Sequence, residues 1–313
     1  MKYIEELREG ERVNAIYLCK QRNVATTKTG KEYENLILQD KTGQLDGKIW
    51  EPNSFGIGDF DAFDYVEVSG RVTSFNGALQ LSIERARKCD EGEYNEADYL
   101  PVSTRNVEEM YAELLKYVDS VTNADLKALL KKFFVEDEEF IRAFKQSSAA
   151  KSVHHGFVGG LLEHTISVAN LCNAFAANYQ LLNRDLLISA ALVHDMGKIK
   201  EFSKFPLNDY TDDGQLLGHI VMGIEMVNEK LSKLPDFPAK LASELKHCIL
   251  SHHGEYEYGA PKRPSIVEAF ALHFADNMDA KMETIKEMFE TTDSNDWLGF
   301  SRVLDTNIRK TSI

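Results

Sequence analysis

The sequence predicts a multi-domain chain of α and β, a five-stranded β-barrel followed by an all-α domain. Three observations predict it. Residues 11–89 alternate polar and apolar positions between turn signals, the period of half-buried strands. After a polar, acidic stretch at 91–103 the apolar residues recur at three- and four-residue steps, the period of helices. None of the nine histidines precedes residue 154, so the residues best suited to chemistry gather in the helical part.

The strands are expected in "RVNAIYLCKQRNVAT", "EYENLILQD", "QLDGKIWE", "DYVEVSGRVTSF" and "ALQLSIERARKC". Asn76-Gly77 is a hairpin signal between the last two. Five such strands, with a longer connection after the third, suggest a closed barrel of the OB type; other small β-barrels or sandwiches share the pattern. The barrel is placed at 1–90, a linker at 91–103 and the all-α domain at 104–313. Helical periods run through "NVEEMYAELLKYVDSV" and "NADLKALLKKFFVEDEEFIRAFKQ", then near 161–179, 184–196, 219–232, 239–251 and 265–290.

With 43% hydrophobic and 27% charged residues, the composition is that of a globular protein. No apolar run approaches the roughly 20 residues of a membrane span, so no membrane partner is expected. The charged N-terminus does not read as a signal peptide. Four scattered cysteines (Cys19, Cys89, Cys172, Cys248) show no zinc or redox spacing, consistent with a reduced, cytoplasmic setting. The net charge of −14 argues against a protein that coats nucleic acid by bulk electrostatics. Residues 1–90 carry 13 Lys+Arg against 15 Asp+Glu, and the remainder 23 against 35. A near-neutral module thus precedes an acidic one, which can hold a polyanion only where its charge is offset locally.

The stretch "LLISAALVHDMGKI" sets His194 and Asp195 at the deep end of an apolar helix that Gly197 is expected to stop. Burying either side chain unpaired is expensive. His164 in "GGLLEHTISVA", His219 in "LLGHIVMG", His252-His253 in "ILSHHGE" and Asp276 in "LHFADNMDAK" occupy similar apolar contexts. Any one of them alone is more often a satisfied core histidine. As a set, imidazoles and carboxylates are ligands of divalent ions. They exceed what one tetrahedral zinc needs, suit two ions sharing a carboxylate, and lack the thiolates of a structural zinc site.

The order His164, His194-Asp195, His219, His252-His253, Asp276 resembles the HD superfamily of metal-dependent phosphohydrolases, in its two-metal branch. Together with the preceding barrel, "HHGFVGGLLEHT", "HDMGKI" and "DYTDDGQLLGHI" look more narrowly like the YhaM-type 3′–5′ exoribonucleases. The resemblance implies a first ion on His164, His194, Asp195 and Asp276, and a second on His219, His252 and His253, with Asp195 as bridge. The ions implied are Mn²⁺, with Fe²⁺, Co²⁺ or Mg²⁺ as alternatives. His247 and His273 match no ligand position. The substrate implied is single-stranded RNA, with single-stranded DNA as an alternative, and a homo-oligomer is left open.

Such a centre hydrolyses phosphodiesters without a protein nucleophile. Lys198, one turn past Asp195, either reaches a phosphate oxygen or serves as a helix C-terminal cation facing the dipole. His155 or His154 contacts the scissile phosphate, protonates the leaving oxygen, or helps fix the entry to the ligand helix. Asp209, Asp212 and Asp213 read as turn-forming. On the barrel, Tyr33, Trp50 and Phe75 are candidate stacking residues, and Lys20, Arg22, Lys28, Lys31 and Lys48 candidate phosphate contacts. Two other functions compete: a phosphohydrolase of small or cyclic nucleotides, for which the barrel would be idle, and a non-catalytic nucleic-acid binder.

Overall fold

The computed structural model describes residues 2–312 apart from 28, 101, 152–154, 293 and 295. The chain forms two compact units, Met1–Pro101 and Val102–Ile313.

The first unit is a closed barrel of β1 (Arg12–Thr26), β2 (Glu32–Asp40), β3 (Gly43–Ile49), β4 (Tyr65–Phe75) and β5 (Ala78–Lys88), in the order β1-β2-β3-β5-β4. Only the β3–β5 pairing is parallel, which is the OB arrangement. Alternation selects the inside: Leu36 and Leu38 join Tyr17, Val66, Val68 and Leu81 in the core, while Asn35 and Ile37 point outward. Gly70 lies where β4 crosses β5, and an added Cβ would stand 2.1 Å from the carbonyl oxygen of Ser82. Asn76 and Gly77 both have positive φ, the requirement of a type I′ hairpin turn. Residues 91–100, expected to link, instead pack on the barrel. Tyr94 stacks on Tyr65 with ring centroids 3.7 Å apart, and Tyr99 and Leu100 are buried.

The second unit is helical: α1 (Val107–Ser120), α2 (Ala124–Phe134), α3 (Glu138–Gln146), α4 (Gly160–Asn178), α5 (Arg184–Val193), α6 (Lys198–Glu201), α7 (Asp212–Leu231), α8 (Ala239–Ser251) and α9 (Val267–Thr291). Asn106, Asn123, Asp137, Asn183 and Thr211 cap helix N-termini through their side chains. Asp137 explains why the single period at 123–146 divides into α2 and α3: its carboxylate accepts from Phe140 N and starts a new helix. Every residue of α5 from Leu186 to Val193 is buried, and each large apolar side chain there contributes roughly 1.5–3 kcal/mol. Helices α4, α8 and α9 pack around α5. A short hairpin, β6 (Trp297–Ser301) and β7 (Thr306–Arg309), follows α9. The sequence does not predict it, because strands of five and four residues are too short for alternation to register. No helix among the described residues is long and apolar enough to cross a membrane. The four cysteines are buried and form no disulfide.

Candidate metal centre

Five elements converge on Asp195. His164 lies in the second turn of α4. Gly160 starts that helix, where an added Cβ would stand 2.0 Å from the His155 carbonyl oxygen. His194 is the C-cap of α5 and Asp195 follows it. His219 comes directly after Gly218, which breaks the helical geometry of α7 with φ 73°. His252 is the C-cap of α8, with His253 next. Asp276 projects from α9. Gly197 does not stop a helix by left-handed geometry, since its φ is −61°. It is needed because α6 meets α7 there, with the His219 carbonyl oxygen where a Cβ would sit.

The two oxygens of Asp195 face different groups. Oδ2 lies 3.4 Å from His164 Nε2 and 3.5 Å from His194 Nε2. Asp276 Oδ1 joins them, 3.2 Å from His164 Nε2 and 3.8 Å from His194 Nε2. Oδ1 of Asp195 lies 3.3 Å from His219 Nε2 and 3.4 Å from His252 Nε2. His164, His194 and Asp276 form one set able to hold an ion, and His219, His252 and His253 another.

The opposite ring nitrogens are all engaged. Nδ1 bonds the carbonyl of Ala191 in His194, of Ile249 in His252 and of Tyr258 in His253, at 2.7–2.8 Å. His164 Nδ1 bonds Asp279 Oδ2 at 2.7 Å, and His219 Nδ1 bonds Glu201 Oε1 at 3.0 Å. With Nδ1 donating, the neutral rings aim Nε2 lone pairs inward. His164 and His194 bring two such nitrogens within 3.3 Å of each other. Asp195 Oδ1, His219 Nε2 and His252 Nε2 are buried without a hydrogen-bond partner among the described residues. Buried acceptors facing one another are costly unless positive charge lies between them. The donor set therefore fits cations.

Electrostatics agree. Burial opposes charge on the Asp195 carboxyl, but Lys198 and the surrounding imidazoles hold it well below the usual range. Asp276 is also depressed against its burial, chiefly by the hydrogen bond to His164. Burial pushes His194 down to about 4 and His253 down to about 3. His164 and His252 go up, because Asp195 and the other carboxylates outweigh their burial. The centre demands positive charge, supplied by protons on those two rings or by ions replacing them.

Residues 161–281 match the HD domain model and contain all of the side chains that converge on Asp195. The chain is 34% identical to the 3′-5′ exoribonuclease YhaM of Bacillus velezensis, over 87% of its own length and 86% of that protein. It is 33% identical to YhaM of Listeria monocytogenes over 93% and 92%. The chain belongs to the YhaM exoribonuclease family. Among solved structures, the second OB-fold domain of replication protein A from Methanococcus maripaludis aligns at 22% identity, covering 30% of this chain and 98% of that domain, with a TM-score of 0.23.

Other expected site residues of this YhaM-family chain are less uniform. Lys198 places Nζ 2.6 Å from Asp195 Oδ2. His155, expected at the scissile phosphate, is instead buried behind His164, with Nε2 3.1 Å from Asp279 Oδ2. His154 lies outside the described residues. Asp212 and Asp213 form the first turn of α7, and Asp209 pairs with Lys151. His247 accepts from Ser265 N, and His273 bonds the His252 carbonyl, so both hold main chain near α8. Asp279 and Glu201, which hydrogen-bond the rings of His164 and His219, are not among the residues the sequence singles out. The signal for Asp279 was its spacing, one helical turn after Asp276.

On the barrel, Tyr33 and the half-exposed Trp50 stack with centroids 5.2 Å apart, and Lys48 Nζ stands 5.8 Å from the Tyr33 ring. Lys31 and Phe75 are exposed. Lys20 leans over Phe63 at 5.7 Å. Arg22 does not present a free cation. It pairs with Glu34 at 2.9 Å, bonds the Phe60 carbonyl and lies 4.1 Å over the Phe60 ring. Lys28 lies outside the described residues.

Proposed function

We propose that the chain is a 3′–5′ exoribonuclease that hydrolyses phosphodiester bonds of single-stranded RNA with two divalent ions, most readily Mn²⁺. The observation that carries the two-ion reading is the division of Asp195, one oxygen toward each set of imidazoles, with buried acceptors left unpaired. RNA as substrate and the 3′–5′ polarity rest on the relatives' names.

In this reading His164, His194 and Asp276 hold the first ion, His219, His252 and His253 the second, and Asp195 bridges them. Bound ions supply the Lewis acidity that phosphodiester hydrolysis needs. Lys198 stays protonated beside Asp195, against its own burial, and offers its ammonium to a non-bridging phosphate oxygen. Asp279 and Glu201 fix ring tautomers, and His155 fixes Asp279. Tyr33 and Trp50 offer bases a stacking surface, with Lys48 and Lys31 available to the backbone. Arg22 has a structural part.

The test incubates purified protein with Mn²⁺ and 5′-labelled single-stranded RNA, beside a 5′-labelled DNA, cyclic dinucleotides and nucleoside triphosphates. A ladder shortening from the 3′ end, abolished by chelation and by Asp195→Ala, is expected. Turnover of the small nucleotides with RNA left intact refutes the reading.

A further inference from the structure

Three imidazoles of the centre rest on main-chain carbonyls, and two rest on buried carboxylates, His164 on Asp279 and His219 on Glu201. One carboxylate-backed ring lies in each half. The halves differ in what else they contain. The half built on His164 and His194 has Asp276 facing both rings directly. Among the described residues, the half built on His219, His252 and His253 has no metal-facing carboxylate except the shared Asp195.

Glu201 is unusually committed to His219. Its Oε1 accepts from both the main-chain nitrogen and Nδ1 of that residue, each at 3.0 Å. The first bond exists because α7 is broken at Gly218, which leaves the His219 N–H without a carbonyl one turn earlier. Held at backbone and ring by one buried oxygen, the imidazole can aim only Nε2 at Asp195. An ionised acceptor on the far nitrogen also raises the ring's basicity toward a metal.

We propose that Glu201 is the positioning residue that makes the His219 half competent for a divalent ion, supplying through His219 the unshared negative charge that Asp276 gives the other half directly. Asp279 plays the same part for His164, where Asp276 makes it less critical. The inference rests on the two-ion reading above.

The test uses the full chain, stripped by chelation and titrated with Mn²⁺, with free ion read by electron paramagnetic resonance and fold by circular dichroism. Wild type binds two ions. Glu201→Gln keeps an oxygen acceptor and removes the charge. It weakens the second ion by about 10- to 100-fold and leaves the first unchanged. Its nuclease activity returns with added Mn²⁺ along the same curve as second-ion occupancy, which a defect of packing would not do. Asp279→Asn weakens only the first ion, and by a smaller factor than Glu201→Gln weakens the second. The inference is overturned if wild type binds two ions and Glu201→Gln binds both as tightly, or loses both equally. Read alone, Asp279→Asn overturns it by depleting the second ion or by costing more than Glu201→Gln. A wild type that binds one ion or none overturns the two-ion reading itself, and the inference with it.

Discussion

Two glycines face each other where α6 meets α7, and replacing each by alanine should have opposite results. At Gly197 an added Cβ would stand 1.9 Å from the His219 carbonyl oxygen and 2.8 Å from Gly223 N. A Cβ essentially never approaches another heavy atom more closely than 3.0 Å, so Gly197→Ala must part the two segments by at least about 1.1 Å, the difference between 1.9 and 3.0 Å. The segments carry Asp195 and His219, whose metal-facing atoms are 3.3 Å apart. A displacement of that size at a catalytic constellation costs about 100-fold in rate, and the overpacking costs about 1–3 kcal/mol of stability. At Gly223 the nearest atoms to an added Cβ are 3.7–3.9 Å away, ordinary van der Waals separations. Gly223→Ala, inside a helix, should therefore stabilise by up to about 1 kcal/mol and leave activity near wild type. The assay is kcat/KM on 5′-labelled RNA at saturating Mn²⁺, with ion content and thermal melts beside it. Gly197→Ala retaining both ions and activity within a few-fold refutes the reasoning. So does a Gly223→Ala as damaged as its neighbour.

Trp50→Ala should weaken RNA binding by about 1–3 kcal/mol in fluorescence anisotropy; unchanged affinity removes Trp50 from the RNA path. Arg22→Ala leaves the buried Glu34 carboxylate without its partner and should cost about 3 kcal/mol of barrel stability in a melt. A melt unchanged from wild type would make Arg22 a free cation after all. Asn183→Ala removes the cap that accepts from Leu186 N at the start of α5, for about 0.5–2 kcal/mol, and calorimetry checks it. Acidification should release ions. His164 and His252 have raised pKa values, so protons compete with metal for their Nε2 atoms increasingly as pH falls. Mn²⁺ affinity that is the same at about pH 5 and about pH 8 would contradict the assignment of neutral imidazole ligands.

The barrel strands were legible to within two residues because each alternates and each ends at a turn signal. That His164, His194, Asp195, His219, His252 and Asp276 come together was legible because histidine and aspartate inside apolar helices demand compensation. The start of α7 was not. Its first turns carry the exposed Leu216 and Leu217 and acidic residues, so no apolar stripe appears before His219. Glu201 and Asp279 were not singled out, since the histidines they bond are 18 and 115 residues away in the chain. Arg22 misled for the converse reason. Whether a strand cation is free depends on its neighbours in space, here Glu34 on β2 and the Phe60 carbonyl in the connection between β3 and β4. The role of Gly197 lay in the approach of a second helix, which local sequence does not report.

His194 and His252 share a feature with wider reach: each caps the C-terminus of its helix, α5 or α8, and returns Nδ1 to the carbonyl three residues earlier. Two helices thus point their carbonyl ends at one small volume. The aligned peptide dipoles give each such end roughly half a negative charge, a field that belongs to the backbone and survives replacement of any one side chain. Cations are drawn in even where a ligand is missing. A phosphodiester meets repulsion from the same source until cations reverse the sign of the potential. On the proposed two-ion reading, the order of arrival expected from this field is metal first and phosphate second.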